Sequence, residues 1–128
     1  MYNSSWYNSL IKPFLAPPNW VFIPVWSILY LTIFISLVLY VIKPEENKNS
    51  GYIFFAIQII LNLIWSPIFF GAQNIALALI IVILLDIFVL FTILKFYSVS
   101  KISGLILIQY FLWVLFASYL NLGYLLLN

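Results

Sequence analysis

Residues 74–97, NIALALIIVILLDIFVLFTILKFY, decide the fold class of this chain. One acid, Asp86, and one base, Lys95, interrupt a run that is otherwise almost wholly apolar. The run exceeds the ~20 residues that a helix needs to cross a bilayer. Three further stretches, 20–42, 51–71 and 102–127, meet the same criterion. Of the 128 residues, 66% are hydrophobic and 6% charged, whereas a soluble domain carries about 25% charged residues. So few ionic groups cannot build a water-facing surface. The apolar residues come in blocks and do not alternate with polar ones, which excludes a porin-like barrel. Helices satisfy every backbone donor and acceptor within their own segment, which lipid demands. The expected fold is an all-α membrane protein, one domain over residues 1–128 with a bundle of four transmembrane helices.

The breaks between spans are short. Residues 43–50 form a hydrophilic loop, Ala72-Gln73-Asn74 a tight turn after a stop at Gly71, and residues 98–101 a third break. Lys43, Lys48, Lys95 and Lys101 fall on one side of the membrane and Lys12 on the other, so loops 43–50 and 98–101 are predicted to be cytoplasmic. Residues 1–19 are too polar and too rich in proline for a span, and they read as an interfacial segment. The late first apolar run, broken by Trp20, Pro24 and Trp26, does not resemble a cleavable signal peptide. No span repeats another, so an inverted-repeat transporter is not expected within one chain.

Cysteine and histidine are both absent. Disulfides, thiolate or imidazole metal sites and a histidine base are thereby excluded. A net charge of +2 from five lysines and three acids is too small and scattered for nucleic-acid binding. No phosphate loop or nucleophile elbow is present, so neither catalytic nor metal-binding residues are expected.

Trp6, Trp20, Tyr52, Tyr97 and Tyr124 lie near predicted helix ends, where aromatic belts form. Trp113 lies near mid-span, and Trp26 is six residues inside the first span, roughly 9 Å deep. An indole at that depth needs a partner for its N–H, or a cavity. Gln58, Asn62, Trp65 and Phe69 share one helix face by their spacing, and so do Tyr110, Trp113, Ala117, Asn121 and Tyr124. The amides fit interhelical hydrogen bonds and ligand contacts equally well. Together the two stripes would line an aromatic pocket for a flat, apolar ligand. Pro67 frees the carbonyl of Leu63, which predicts a kink. Asp86, the only acid within a span, fits either a proton or cation site or a protonated residue that aids helix packing.

Three blocks of sequence carry a family resemblance. The first is Trp6-Tyr7-x-x-Leu10-x-Lys12-Pro13 followed by Pro17-Pro18-x-Trp20-x-Phe22-x-Pro24-Val25-Trp26-x-x-Leu29-Tyr30. The second is Gln58-x-x-Leu61-Asn62-x-x-Trp65-Ser66-Pro67-x-Phe69-Phe70, and the third Tyr110-x-x-Trp113-x-x-Phe116-Ala117-x-x-Leu120-Asn121. In order and spacing they resemble the TspO/translocator protein family, the tryptophan-rich sensory proteins, over nearly the whole chain.

The resemblance implies a membrane receptor or sensor, usually a homodimer, that binds porphyrins, haem-related tetrapyrroles, sterols or drug-like molecules in a regulatory or transport role. No cofactor is required, porphyrin or haem being the expected ligand, and any enzymatic action would be light-dependent porphyrin degradation. Carried over by position, Trp26, Gln58, Asn62, Trp65, Trp113, Ala117 and Leu120 are the expected ligand-binding residues. Pro17, Pro18 and Trp20 match a lid loop, so residues 1–19 become the pocket cover. The family has five spans, the first preceding the Trp-Tyr-x-x-Leu motif. Trp6 lies only five residues from Met1, so the four spans correspond to helices two to five. Leu122 and Gly123 stand where animal members carry a sterol-recognition tyrosine, and no Lys or Arg follows Lys101. Gln109 replaces a common proline, and apolar residues around Ile81 replace a family acid, so nothing carries over to Asp86. Two other functional classes compete: a proton-coupled four-helix multidrug exporter, which would need an acid that span 20–42 lacks, and a purely structural membrane subunit.

Overall fold

A computed structural model describes residues 5–14, 16–44 and 48–128. A short helix, α1 (Ser5–Ser9), precedes four long ones: α2 (Asn19–Ile42), α3 (Asn49–Ser66), α4 (Ile75–Val99) and α5 (Lys101–Leu127). A π-helical turn, Pro67–Gly71, prolongs α3, so that the second span runs Asn49–Gly71. Each span is long and apolar enough to cross a bilayer. Only 22–33% of the most apolar stretch of each is buried inside the protein. Phe34, Ile102 and Leu126 project outward at 63%, 63% and 75% exposure. An outer surface this apolar is stable only in lipid.

The helix ends show local physics that the hydropathy pattern blurs. Ser100 alone separates α4 from α5, so the expected break at 98–101 shrinks to one residue. Its hydroxyl caps α5 through the Ser103 amide, 3.4 Å away, and Asn74 caps α4 through Leu77 at 3.0 Å. The turn after α3 is closed by Gln73, with φ at 54°, and Gly71 is not the left-handed residue. Pro67 is accommodated by widening the helix: the Ala72 amide reaches back five residues to the Pro67 carbonyl at 2.9 Å. Within loop 43–50, residues 45–47 lie outside the described residues. Lys48 closes the end of α2, its Nζ donating to the carbonyls of Tyr40 and Val41 at 2.8 and 2.9 Å.

α5 packs against α2 on one side and α4 on the other, and α4 packs against α3. α2 and α3, although consecutive in the chain, barely touch along their backbones. A slot between them is the structural setting of the site. Small residues seat the α2–α5 contact: Ser36 Oγ donates to the Ser103 carbonyl and Ser103 Oγ to the Ser36 carbonyl, both at 2.7 Å and fully buried. Tyr40 stacks on Phe96 with centroids 4.0 Å apart, tying α2 to α4.

The closest approach to backbone is at Gly104, where a Cβ would come within 2.6 Å of Tyr97 Cβ and 2.8 Å of its Cα. Backbone cannot yield there as a flexible side chain would. Gly104→Ala is therefore expected to cost about 1–3 kcal/mol through overpacking. The check is the loss of helicity on titrating denaturing detergent into mixed micelles. An unchanged midpoint would refute the tight α4–α5 approach.

Candidate functional site

The two polar stripes on α3 and α5 meet as a hydrogen-bonded string across the bundle. Tyr110 donates to Gln58 Oε1 at 2.8 Å, Asn62 Nδ2 donates to the Tyr110 hydroxyl at 2.9 Å, and Tyr30 donates to Asn62 Oδ1. Tyr30 thus reaches across the slot to link α2 with α3 and α5. Gln58 and Tyr110 are each 1% exposed and Asn62 6%. Polar groups at this depth must be paired, and the string pairs them. Gln58 spends its carbonyl on Tyr110 and does not line either void at the site. Asn62 takes part in the string and also reaches the slot wall.

Above the string the walls turn aromatic. Trp65 donates from Nε1 to Asn121 Oδ1 at 3.0 Å, and Asn121 Nδ2 donates to the Ile75 carbonyl at 3.0 Å. This fixes the Trp65 ring, which stacks on Phe69 at 5.1 Å. Trp26 meets Trp113 edge to face at 6.4 Å with an interplanar angle of 89°, and Phe22 meets Trp113 at 6.2 Å. The Trp113 Nε1 atom is buried and has no hydrogen-bond partner among the described residues. A buried donor without a partner is costly, and such a group in a cavity wall suits a ligand acceptor.

Phe22, Trp26, Tyr30, Asn62 and Trp65 wall an open cleft of about 470 Å³, within the usual range of small-molecule sites. Phe22, Trp26, Trp65 and Ala117 line both it and a tighter void of about 30 Å³ below the N-terminal segment. Of the expected ligand-binding residues, Trp26, Asn62, Trp65 and Ala117 line the cleft, while Trp113 and Leu120 line the tighter void. Phe22, Tyr30, Val82, Leu85 and Val114 also line the cleft. The last three had no distinguishing signal, being ordinary apolar residues in apolar helices.

The cover is differently made from the expected lid. Pro17, Pro18 and Trp20 line neither void, and Trp20 is 73% exposed. Tyr7 of α1 closes the tighter void instead. It is 2% exposed, packs edge-on to Phe22, Phe69 and Phe70, and its hydroxyl lies 2.8 Å from that of Tyr124. Tyr124, expected in the interfacial belt, is therefore buried, because α1 folds back over the end of α5. Asn128 Oδ1 accepts from the Ile11 amide at 3.0 Å and Nδ2 donates to its carbonyl at 3.1 Å. The Tyr119 hydroxyl donates to the Phe14 carbonyl. Pro13 rests on Gly123, where any Cβ would come within 2.5 Å of it. The Lys12 ammonium lies 4.3 Å from the Tyr7 ring centroid. Partial burial holds Lys12 below the ordinary lysine range.

Among the described residues no charged side chain lines the cleft, and no cluster of acids could hold a metal. The cleft has the size and the aromatic lining that suit a flat apolar molecule, and the unpaired Trp113 indole lies in the tighter void beside it. It holds no acid/base pair.

Membrane-spanning helices beside an open aromatic cleft define a multi-pass integral membrane protein with a cleft of small-molecule size. Residues 1–127 match the TspO/MBR family. The chain is 45% identical over 128 residues to the tryptophan-rich protein TspO of Chlorobaculum tepidum, covering 98% of this chain and 81% of that protein. It is 40% identical to protein CrtK of Rhodobacter capsulatus, over 91% of this chain and 74% of that one. With the translocator protein of Homo sapiens it shares 33% identity, over 91% and 70% of the two chains. The chain belongs to the TspO/MBR family.

Proposed function

We propose that this protein is a membrane receptor or sensor for tetrapyrroles, porphyrin or haem-related, and for other flat hydrophobic ligands, acting in regulation or transport as a homodimer. One observation carries this reading: Phe22, Trp26, Tyr30 and Trp65 wall a cleft of ligand size, and Trp113, its N–H unpartnered among the described residues, packs edge-on to Trp26 in the tighter void that adjoins it. An indole left without a partner is a poor choice for packing alone, since a phenylalanine would fill the space without the cost. Rings at right angles leave faces on which a planar macrocycle can stack. Tyr7 closes the adjoining void, and the polar string borders the cleft at Tyr30 and Asn62 with its groups already paired, so recognition in the cleft rests on shape and ring contact.

Ala117 provides the test because it lines both voids. Protoporphyrin titrated into the protein in lipid nanodiscs is expected to quench tryptophan emission saturably at micromolar levels. Ala117→Phe fills the cleft from α5 and is expected to weaken that quenching by about tenfold or more, with helicity unchanged. Equal quenching in both proteins would place binding elsewhere and remove the proposal.

A further inference from the structure

Asp86 lies near the middle of α4, half-buried, and takes no part in lining the cleft. Its Oδ2 is 2.6 Å from Ser118 Oγ on α5, and Ser118 Oγ is 3.0 Å from the Val114 carbonyl one turn earlier. Its Oδ1 is buried with no hydrogen-bond partner among the described residues. A hydroxyl carries one hydrogen. Were Asp86 ionised, that hydrogen would be the sole donor to the carboxylate, and Oδ1 would hold part of a full charge with nothing to balance it. A charge at the centre of a span costs at least about 2.5–3.5 kcal/mol.

The neutral acid resolves the geometry. Oδ2–H then donates to Ser118 Oγ, Ser118 O–H donates to the Val114 carbonyl, and Oδ1 is an uncharged carbonyl oxygen. We propose that Asp86 and Ser118 form an intramembrane proton-binding site, in which Asp86 carries its proton at neutral pH and clasps α4 to α5 through Ser118. The surroundings agree. α5 presents Ser118 and Tyr110, whose hydroxyl is engaged by Gln58 and Asn62. α3 brings those two uncharged amides, and α2 brings Tyr30. The lysines of α4 and α5, Lys95 and Lys101, are exposed near the helix ends. Lys95 is nine residues from Asp86, roughly 13 Å along the helix. Among the described residues no cation faces Asp86, so a proton is the counter-charge open to this site. Ser118 directly follows Ala117, and Val114 lines the same cleft. Loss of the proton would leave an anion behind the cleft wall, so the α4–α5 seat beside the cleft is coupled to protonation.

Infrared spectroscopy of the protein in bilayers reads the site directly. The chain has three side-chain carboxyls, Glu45, Glu46 and Asp86, and a Glu45→Gln, Glu46→Gln background leaves one. At neutral pH this protein is expected to show the carbonyl stretch of an undissociated carboxylic acid, shifted by deuterium exchange. The band should vanish in Asp86→Asn, whose amide can still donate to Ser118. It should move to higher frequency in Ser118→Ala, and give way to carboxylate bands as pH is raised. Carboxylate bands alone at neutral pH in the unmodified protein would overturn the proposal without requiring any variant to fold. An acid band that survives Asp86→Asn, or one unmoved in Ser118→Ala, would overturn it equally.

Discussion

Replacing Trp26 and Trp113 together by phenylalanine is expected to weaken porphyrin binding by about a hundredfold, equivalent to about 2–3 kcal/mol. Two effects add. The Trp113 N–H is lost as a donor, worth about 1 kcal/mol when it meets an acceptor, and both walls lose ring area, each contact being worth about 0.5–1.5 kcal/mol. Five tryptophans are present, so Trp65, which lines the cleft, remains to report residual binding. Trp6→Phe with Trp20→Phe is the matched control, since neither residue lines the cleft or the tighter void, and its affinity should be unchanged. The Trp113→Phe variant alone sharpens the test. It removes a buried donor that has no partner, so the ligand-free protein should be no less stable while affinity falls. Wild-type affinity in the double variant would sink the proposed pocket.

Truncating the cover should have the next largest effect. Tyr7→Ala removes a ring that is 2% exposed and packed among Phe22, Phe69, Phe70 and Tyr124. Core aromatic-to-alanine changes cost about 3–5 kcal/mol. Here the loss falls on the docking of residues 5–14, while the four spans keep their own contacts. The expected result is loss of hydrogen-exchange protection at the Ile11 amide, which bonds Asn128, with helicity retained. Porphyrin should also dissociate about a hundredfold faster, since roughly 3 kcal/mol of closure is gone. Tyr7→Phe removes only the hydroxyl link to Tyr124 and should lose about 1 kcal/mol. Gly123→Val, which drives a side chain into Pro13, should reproduce the Tyr7→Ala exchange pattern. Full protection at Ile11 in Tyr7→Ala would show that the segment is not held by that ring.

The parts of the site that were legible in the sequence are those set by residue type at depth. Trp26 and Trp113 stood out because an indole well inside a span needs an explanation, and Asn62 and Trp65 because their spacing shares a face. All four line the cleft or the void beside it. Gln58 carried the same signal and spends itself on Tyr110, because amide chemistry serves a packing bond as well as a ligand. Pro17, Pro18 and Trp20, read as a lid, line neither void, whereas Tyr7 lines the tighter one. Proline marks where a helix stops, but it says nothing about which neighbouring ring folds inward.

The sequence by itself determined that this chain crosses the membrane four times. Unbroken apolar length and the need to satisfy every backbone group within its own segment leave a helix no alternative in lipid. Tertiary structure alone decided which face of α4 looks inward, since a helix apolar nearly all round carries no periodic signal to orient it. It also decided that α2 and α3 stand apart, that Gln73 and not Gly71 turns the chain, that Tyr124 is buried under Tyr7, and that the Trp113 N–H is left unpaired. Each depends on which distant groups meet, and hydrophobicity along a chain does not encode that meeting.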